Sequence, residues 1–215
     1  MYRVPPINHK HKICVICEGD EDFCYFKRLI ELSVWNERYE FIPKNAHGES
    51  NIPSLYSSIY QNDSYEAVLV FCDTDKAPHK QYRLMKKKLV DFHGGSSGSK
   101  LIEKIVIFAN PCTMQVILLH FGAVELKNQG KKTNSALIEE LTGIVDYDAH
   151  ENQIKELCSK IFRKNYEIMK DRVAMIDKPD TESASTNFIK FINLFESNDI
   201  GWIKSTRDYL DKRKN

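Results

Sequence analysis

The sequence lacks any apolar run near the roughly 20 residues that a membrane-spanning helix needs. Its opening, MYRVPPINHKHK, carries neither an apolar core nor a small-residue cleavage site, so no secretory leader is expected. An excess of one charge is missing too. The 31 Lys plus Arg offset 30 Asp plus Glu to leave a formal net charge of +1, which excludes a uniformly basic nucleic-acid coat and leaves only local basic patches. Repeats and low-complexity tracts are absent. Of the six cysteines, Cys14 and Cys17 form a CxxC with no second CxxC to complete a zinc site. They lie in ICVIC, which reads as a strand and turns them to opposite faces, so they are expected to be buried thiols. These absences together predict a cytoplasmic protein with no membrane contact.

What is present is an ordinary globular composition, 42% hydrophobic and 28% charged over 215 residues, enough for one well-cored domain with a small appendage. KICVIC, YEFIP, EAVLVFCD and EKIVIFAN read as strands. EGDEDFCYFKRLIELS, PSLYSSIYQN and QYRLMKKKLVDF read as the helices between them. The alternation predicts an α/β fold: a mainly parallel, Rossmann-like sheet of about four strands with helices on both faces. After Asn110 no strand pattern is convincing. TMQVILLHFGAV reads as a buried helix, and SALIEELTG, ENQIKELCSKIFRKNYEIMKDRVAMI and TNFIKFINLFES as further helices. The expected organisation is therefore an α/β core over residues 1–110 and a helical half over 111–215, packed on that core or elaborating it. HGGSSGSK is a flexible turn by composition, and its glycine-to-lysine spacing after a helix is wrong for a phosphate loop.

Two strands end in acids. The first runs KICVIC and then Glu18-Gly19; the third runs EAVLVFC and then Asp73-Thr74-Asp75. Ligands of parallel α/β sheets collect at the carboxyl ends of the strands. The 55 residues between Glu18 and Asp73 suit a strand-helix-strand-helix-strand connection. With a side-chain period of two, Asp73 and Asp75 share one side if the strand continues that far. Like charges held together repel unless something positive lies among them, and hard divalent cations such as Mg²⁺ take carboxylate oxygen. The alternative is that Asp73 and Asp75 simply open a loop ahead of the next helix.

An EG after the first strand and a strand ending in DTD resemble a TOPRIM domain. ICEGDEDFCYFKRL, IFANPCTMQVILLHF and STNFIKFI narrow the resemblance to RloB-like proteins, small TOPRIM proteins associated with prokaryotic restriction and phage-defence loci. The likeness runs from about residue 12 to 193. It implies a nuclease (hydrolase) that cleaves phosphodiester bonds in DNA or RNA, tRNA included, with Mg²⁺ or Mn²⁺, as an effector of antiviral defence. It implies Asp73 and Asp75 as metal ligands and Glu18 as ligand or general acid/base, with nucleic acid as partner and an ATPase or another defence protein beside it. The chain departs from the family where an aromatic and a glutamate usually follow NPC: here stand Thr113 and Met114, with Gln115 next. Asp20 or Glu21 is then the acid available to replace that glutamate, or to serve simply as helix-start charge. The departure also leaves open a non-catalytic partner or sensor that keeps the fold and binds nucleic acid or another defence protein.

Several basic residues are candidates for phosphate contact. Lys76 and His79 follow DTD directly. Lys86, Lys87 and Lys88 occupy consecutive helix positions and cannot share one face. The basic tail KSTRDYLDKRKN reads either as a frayed helix or as an electrostatic handle on nucleic acid, and His120 in LLHF is expected to be a core histidine.

Overall fold

A computed structural model describes residues 10–75, 77–95 and 98–211. Four strands, β1 (His11–Cys17), β2 (Tyr39–Asn45), β3 (Ala67–Asp73) and β4 (Val106–Asn110), run parallel. A fifth, β5 (Ser185–Thr186), joins the edge antiparallel, giving the order β2-β1-β3-β4-β5. The register pairs Cys17 with Phe71 on β3, and Asp73 with Ala109 on β4, so the strand ends carrying Glu18 and Asp73 lie side by side.

Strand periodicity divides the core in two. Ile13, Val15 and Cys17 point to one face with Leu69 and Phe71; Cys14 and Ile16 point to the other with Val68, Val70 and Cys72. Both faces are covered, which is why these strands read as unbroken apolar runs. The second face is packed by α2 (Ile52–Gln61), α3 (Lys80–Phe92) and α4 (Gly98–Ile105). The first is packed by α1 (Asp20–Glu31), α5 (Thr113–Leu118), α6 (Lys131–Thr142), α7 (Glu151–Ser159), α8 (Arg163–Met175) and α9 (Phe188–Glu196). A last helix, α10 (Gly201–Asp211), divides its apolar residues, Trp202 and Ile203 joining the first core and Leu210 the second. The helical second half thus shares its cores with the sheet. Phe26, Trp35, Phe41 and Phe195 join α1, β2 and α9, with the Phe41 and Phe195 rings 4.7 Å apart. Such pairs each contribute about 0.5–1.5 kcal/mol beyond area burial.

Four expectations change. Ser185–Thr186 is a strand, too short to show any period; its Thr186 Oγ1 donates to the Phe108 carbonyl. Glu103, Lys104 and Ile105 belong to α4 rather than to β4, because the apolar run after them hides the switch of period. The long helix expected over 151–176 breaks at Lys160–Phe162, where Ile161 is buried and its carbonyl accepts from the Arg28 guanidinium at 2.9 Å. The helix expected from Thr113 stops at Leu118, although the buried run continues to His120.

Both thiols of the CxxC are buried on opposite faces, and all six cysteines are free. Burial pushes the Cys14 thiol up to about 12, so it is inert at neutral pH. His120 is a core histidine: its Nε2 lies 2.9 Å from the Tyr25 hydroxyl, and burial lowers its pKa to about 3.

Candidate acidic site at the carboxyl ends of β1 and β3

Glu18 leaves β1 with its amide donating to the Phe71 carbonyl, which fixes the backbone against β3. Its Oε2 accepts from the Asp73 amide at 3.0 Å, so the two acids are held at one point of the sheet. Asp73 in turn accepts on Oδ1 from the Thr113 amide at 2.6 Å and the Thr113 hydroxyl at 2.8 Å. Those donors are available because β4 ends at Asn110 and α5 begins at Thr113, presenting a first-turn N–H that no helix carbonyl can satisfy.

Asp22 is the acid on α1 that reaches this point. One of its oxygens accepts from the Gly19 amide at 2.9 Å, a third helical residue reaching back to cap its own helix, and the other meets the Thr113 hydroxyl. Thr113 therefore bridges Asp22 and Asp73. Asp20 and Glu21, the acids expected from sequence, point elsewhere: Asp20 accepts from Asn45 Nδ2 at 2.6 Å, and Glu21 pairs with Lys131 and accepts from the Tyr147 hydroxyl at 2.6 Å. At 3.6 residues per turn, three consecutive helix positions face three directions, so only one of the three acids turns inward.

Asp75 departs from strand geometry. The ladder stops at Asp73, and Asp75 takes a left-handed backbone (φ 58°), a conformation that Asp tolerates better than most residues. The side-chain period of two ends with the strand, so Asp75 lines an open cavity of about 570 Å³ instead of lying over Asp73. Asn110, Lys127, Gln129 and Ser183 line the same cavity. His79, also in its wall and also left-handed (φ 56°), ties this turn together, its Nδ1 lying 2.8 Å from the Thr74 carbonyl and 2.9 Å from that of Asp75.

Glu49 completes the group and had no sequence signal. It follows Gly48, whose φ of 122° is closed to other residues and whose amide donates to the Glu18 carbonyl at 2.8 Å. The Glu49 residue is 8% exposed, and neither carboxylate oxygen has a hydrogen-bond partner.

Protonation reflects this crowding. Burial, then Asp22, Glu49 and Asp75, push Glu18 up to about 8 against the pull of the Asp73 amide. Burial and the charge of Asp75 raise Glu49 to about 7; burial raises Asp22 to about 6 although Thr113 and Gly19 oppose it. Asp73 lies well above the usual carboxylate range through burial, Asp22 and Glu18. Asp75 is raised by burial, with His79 and Lys131 drawing it back. Lys131, at the start of α6, is the cation this centre feels, and its ammonium is already engaged by Glu21.

The donors are carboxylate and hydroxyl oxygens, the set a hard divalent cation takes, and the orphaned carboxylate of Glu49 is what such a cation would satisfy. By that chemistry the residues fit Mg²⁺ or Mn²⁺. Among the described residues, however, no three His, Cys, Asp or Glu side chains are gathered into a ready cage, since Glu18, Asp22 and Asp73 turn toward amides and Thr113.

The remaining candidates scatter. Lys76 lies outside the described residues. Lys86 pairs with Asp180 and sits 4.3 Å from the Tyr82 ring centroid; Lys87 is exposed on the rim of a second cavity, and Lys88 is exposed away from it. Gln115 is structural, its amide accepting from the Leu126 N–H and donating to the Val124 carbonyl, both at 2.7 Å. Among the described residues no helix is long and apolar enough to cross a membrane. Comparison with family models, curated proteins and solved structures returns no match.

Proposed function

We propose that this protein is a metal-dependent phosphodiesterase of TOPRIM type, similar to RloB-like proteins, that cleaves DNA or RNA in antiviral defence. The observation that carries the reading is the convergence of Glu18, Asp22, Asp73 and Glu49 at adjacent strand ends with their carboxyls raised, the nearby Lys131 being already engaged by Glu21. Glu18, Asp73 and Asp75 would hold Mg²⁺ or Mn²⁺, with Glu49 as the further oxygen donor. A bound ion of this kind polarises a phosphate and lowers the pKa of a coordinated water. Thr113 holds Asp22 and Asp73 in register, and Glu18, whose pKa of about 8 lies near neutral pH, can carry a proton. The open side of the cavity at Asp75 gives a polymer access from solvent.

The test is incubation of the purified protein with plasmid, single-stranded DNA and total tRNA, with Mg²⁺ or Mn²⁺ against chelator. Cleavage that requires the metal supports the reading; none on any substrate overturns it. The competing reading, a non-catalytic partner or sensor, draws on one observation. Thr113, standing where the resembled family carries other side chains, already satisfies Asp22 and Asp73 by hydrogen bonds.

A further inference from the structure

A second cavity, of about 900 Å³, opens between α3, α4, the segment after α8 and the start of α9. Its floor is the free part of the β4 edge. Because β5 pairs only with Ala109 and Asn110, the Phe108 amide and Val106 carbonyl are met instead by the side chain of Asn187, at 2.9 and 2.8 Å. Its walls carry Lys86, Lys87, Lys100, Lys104, Lys178 and Lys190 against Glu103, Asp177 and Asp180. Lys86 pairs with Asp180, and Lys190 with Asp177 at 3.2 Å. Among the described residues Lys87, Lys100, Lys104 and Lys178 have no acidic partner. In a chain whose formal charge is only +1, six lysines against three acids leave this one groove three positive charges in excess, a local field that the composition does not supply elsewhere by default.

We infer that this groove binds the phosphodiester backbone of a nucleic-acid strand and delivers it to the acidic centre. The two cavities share one ridge. Pro179 and Asp180 line the lysine groove, Thr181 and Ser183 line the acid-side cavity, and Asn110 Nδ2 pins the ridge by donating to the Asp180 and Glu182 carbonyls at 3.0 and 2.7 Å. A strand lying on the lysines therefore reaches Asp75 by crossing that ridge. Of the aromatic residues that line the groove, Tyr82 is 2% exposed and Phe108 7%, and the partly buried Tyr209 ring is faced by Lys104 at 5.3 Å from its centroid, so the lining offers chiefly charge to a backbone. It accordingly binds without sequence preference. The choice of a nucleic acid among polyanions rests on the phosphodiesterase reading above; the groove itself does not depend on catalysis.

The test is fluorescence anisotropy of a labelled 20-nucleotide strand with the full chain in chelator, titrated over salt, so that binding is read apart from cleavage. The four lysines without an acidic partner predict a slope of log K against log salt of about −3. Lys87→Gln with Lys100→Gln and Lys104→Gln should flatten that slope by about 2 and weaken binding at low salt at least about tenfold. Lys155→Gln with Lys164→Gln, on helices of the opposite sheet face, should leave it unchanged. All five lysines are at least partly exposed, so the variants are expected to fold, which circular dichroism checks. An unchanged slope in the triple variant, an equal loss in the control, or equally tight binding of poly-glutamate overturns the proposal. Absence of metal-dependent cleavage alongside lysine-dependent binding would remove the phosphodiesterase reading and leave the groove standing.

Discussion

Two groups of carboxylates in this molecule behave in opposite ways. On α7, Glu151 is exposed and sits four residues before Lys155, whose ammonium lies 2.5 Å away and holds the glutamate below its usual range. At the ends of β1 and β3, Glu18, Asp22, Asp73 and Glu49 are raised above the usual carboxylate range, first by burial and then by neighbouring carboxylates. The first group is what helix spacing provides at little cost. The second opposes folding, since clustered like charges in a poorly solvated place destabilise unless protonated or neutralised. A bound positive charge would offset that cost, which is the physical content of the functional proposal.

The sharpest way to break the comparison is catalytic. Glu18→Gln preserves shape and removes basicity, so metal-dependent cleavage should fall by roughly 10²-fold or more, while Glu151→Gln leaves the rate unchanged. Equal rates for wild type and Glu18→Gln in a single-turnover assay would take Glu18 out of the chemistry.

Next in size is the effect of metal on stability. Mg²⁺ or Mn²⁺ at 100-fold over its dissociation constant should stabilise the fold by about 2.7 kcal/mol, read as a rise in Tm by calorimetry. Asp73→Asn with Asp75→Asn should melt above wild type in chelator, because repulsion is relieved, and lose the metal response. If both proteins respond alike, the cation binds elsewhere.

The pH dependence separates the two groups by sign. Glu18 releases its proton near 4.5 when unfolded and near 8 when folded. Between those values the folded state holds a proton that the unfolded chain has lost, so the stability this group lends is full below about 4.5 and gone above about 8. Each such group contributes a fall of up to about 1.4 kcal/mol per pH unit across its window. Chelated protein should therefore lose Tm from pH 5 to 8, and Glu18→Gln should flatten that fall. The depressed pKa of Glu151 works the other way, adding stability as pH rises through its range. A chelated wild type whose Tm is level or rising over pH 5 to 8 would contradict the crowding at the strand ends.

The smallest effect belongs to the surface. Lys155→Ala removes the partner of Glu151 at a solvated position, and Tm should stay within measurement error.

Much of the fold was legible because its signals are local. The unbroken apolar runs of β1, β3 and β4, the period of α1 and α3, and the acids that close two strands each arise from residues near in sequence. Ser185–Thr186 had no such signal, because two residues carry no period and their pairing with β4 joins positions about 75 apart. The site divides the same way. Glu18 and Asp73 were visible as strand ends, but Asp22 could not be told from its neighbours Asp20 and Glu21 until α1 acquired a fixed rotation against the sheet.

By itself the sequence determined the alternation of strands and helices, the acids at two carboxyl ends and the apolar faces that bury both sides of the sheet, since these depend on periodicity and composition. Tertiary structure alone decided that Thr113 bridges Asp22 and Asp73, that Gly48 turns Glu49 inward without a partner, that Asp75 leaves the strand for an open cavity, and that lysines from four separate segments share one groove. The reason is that desolvation and repulsion act through space, so which acids are raised and which lysines stand together depends on distances that chain order does not contain.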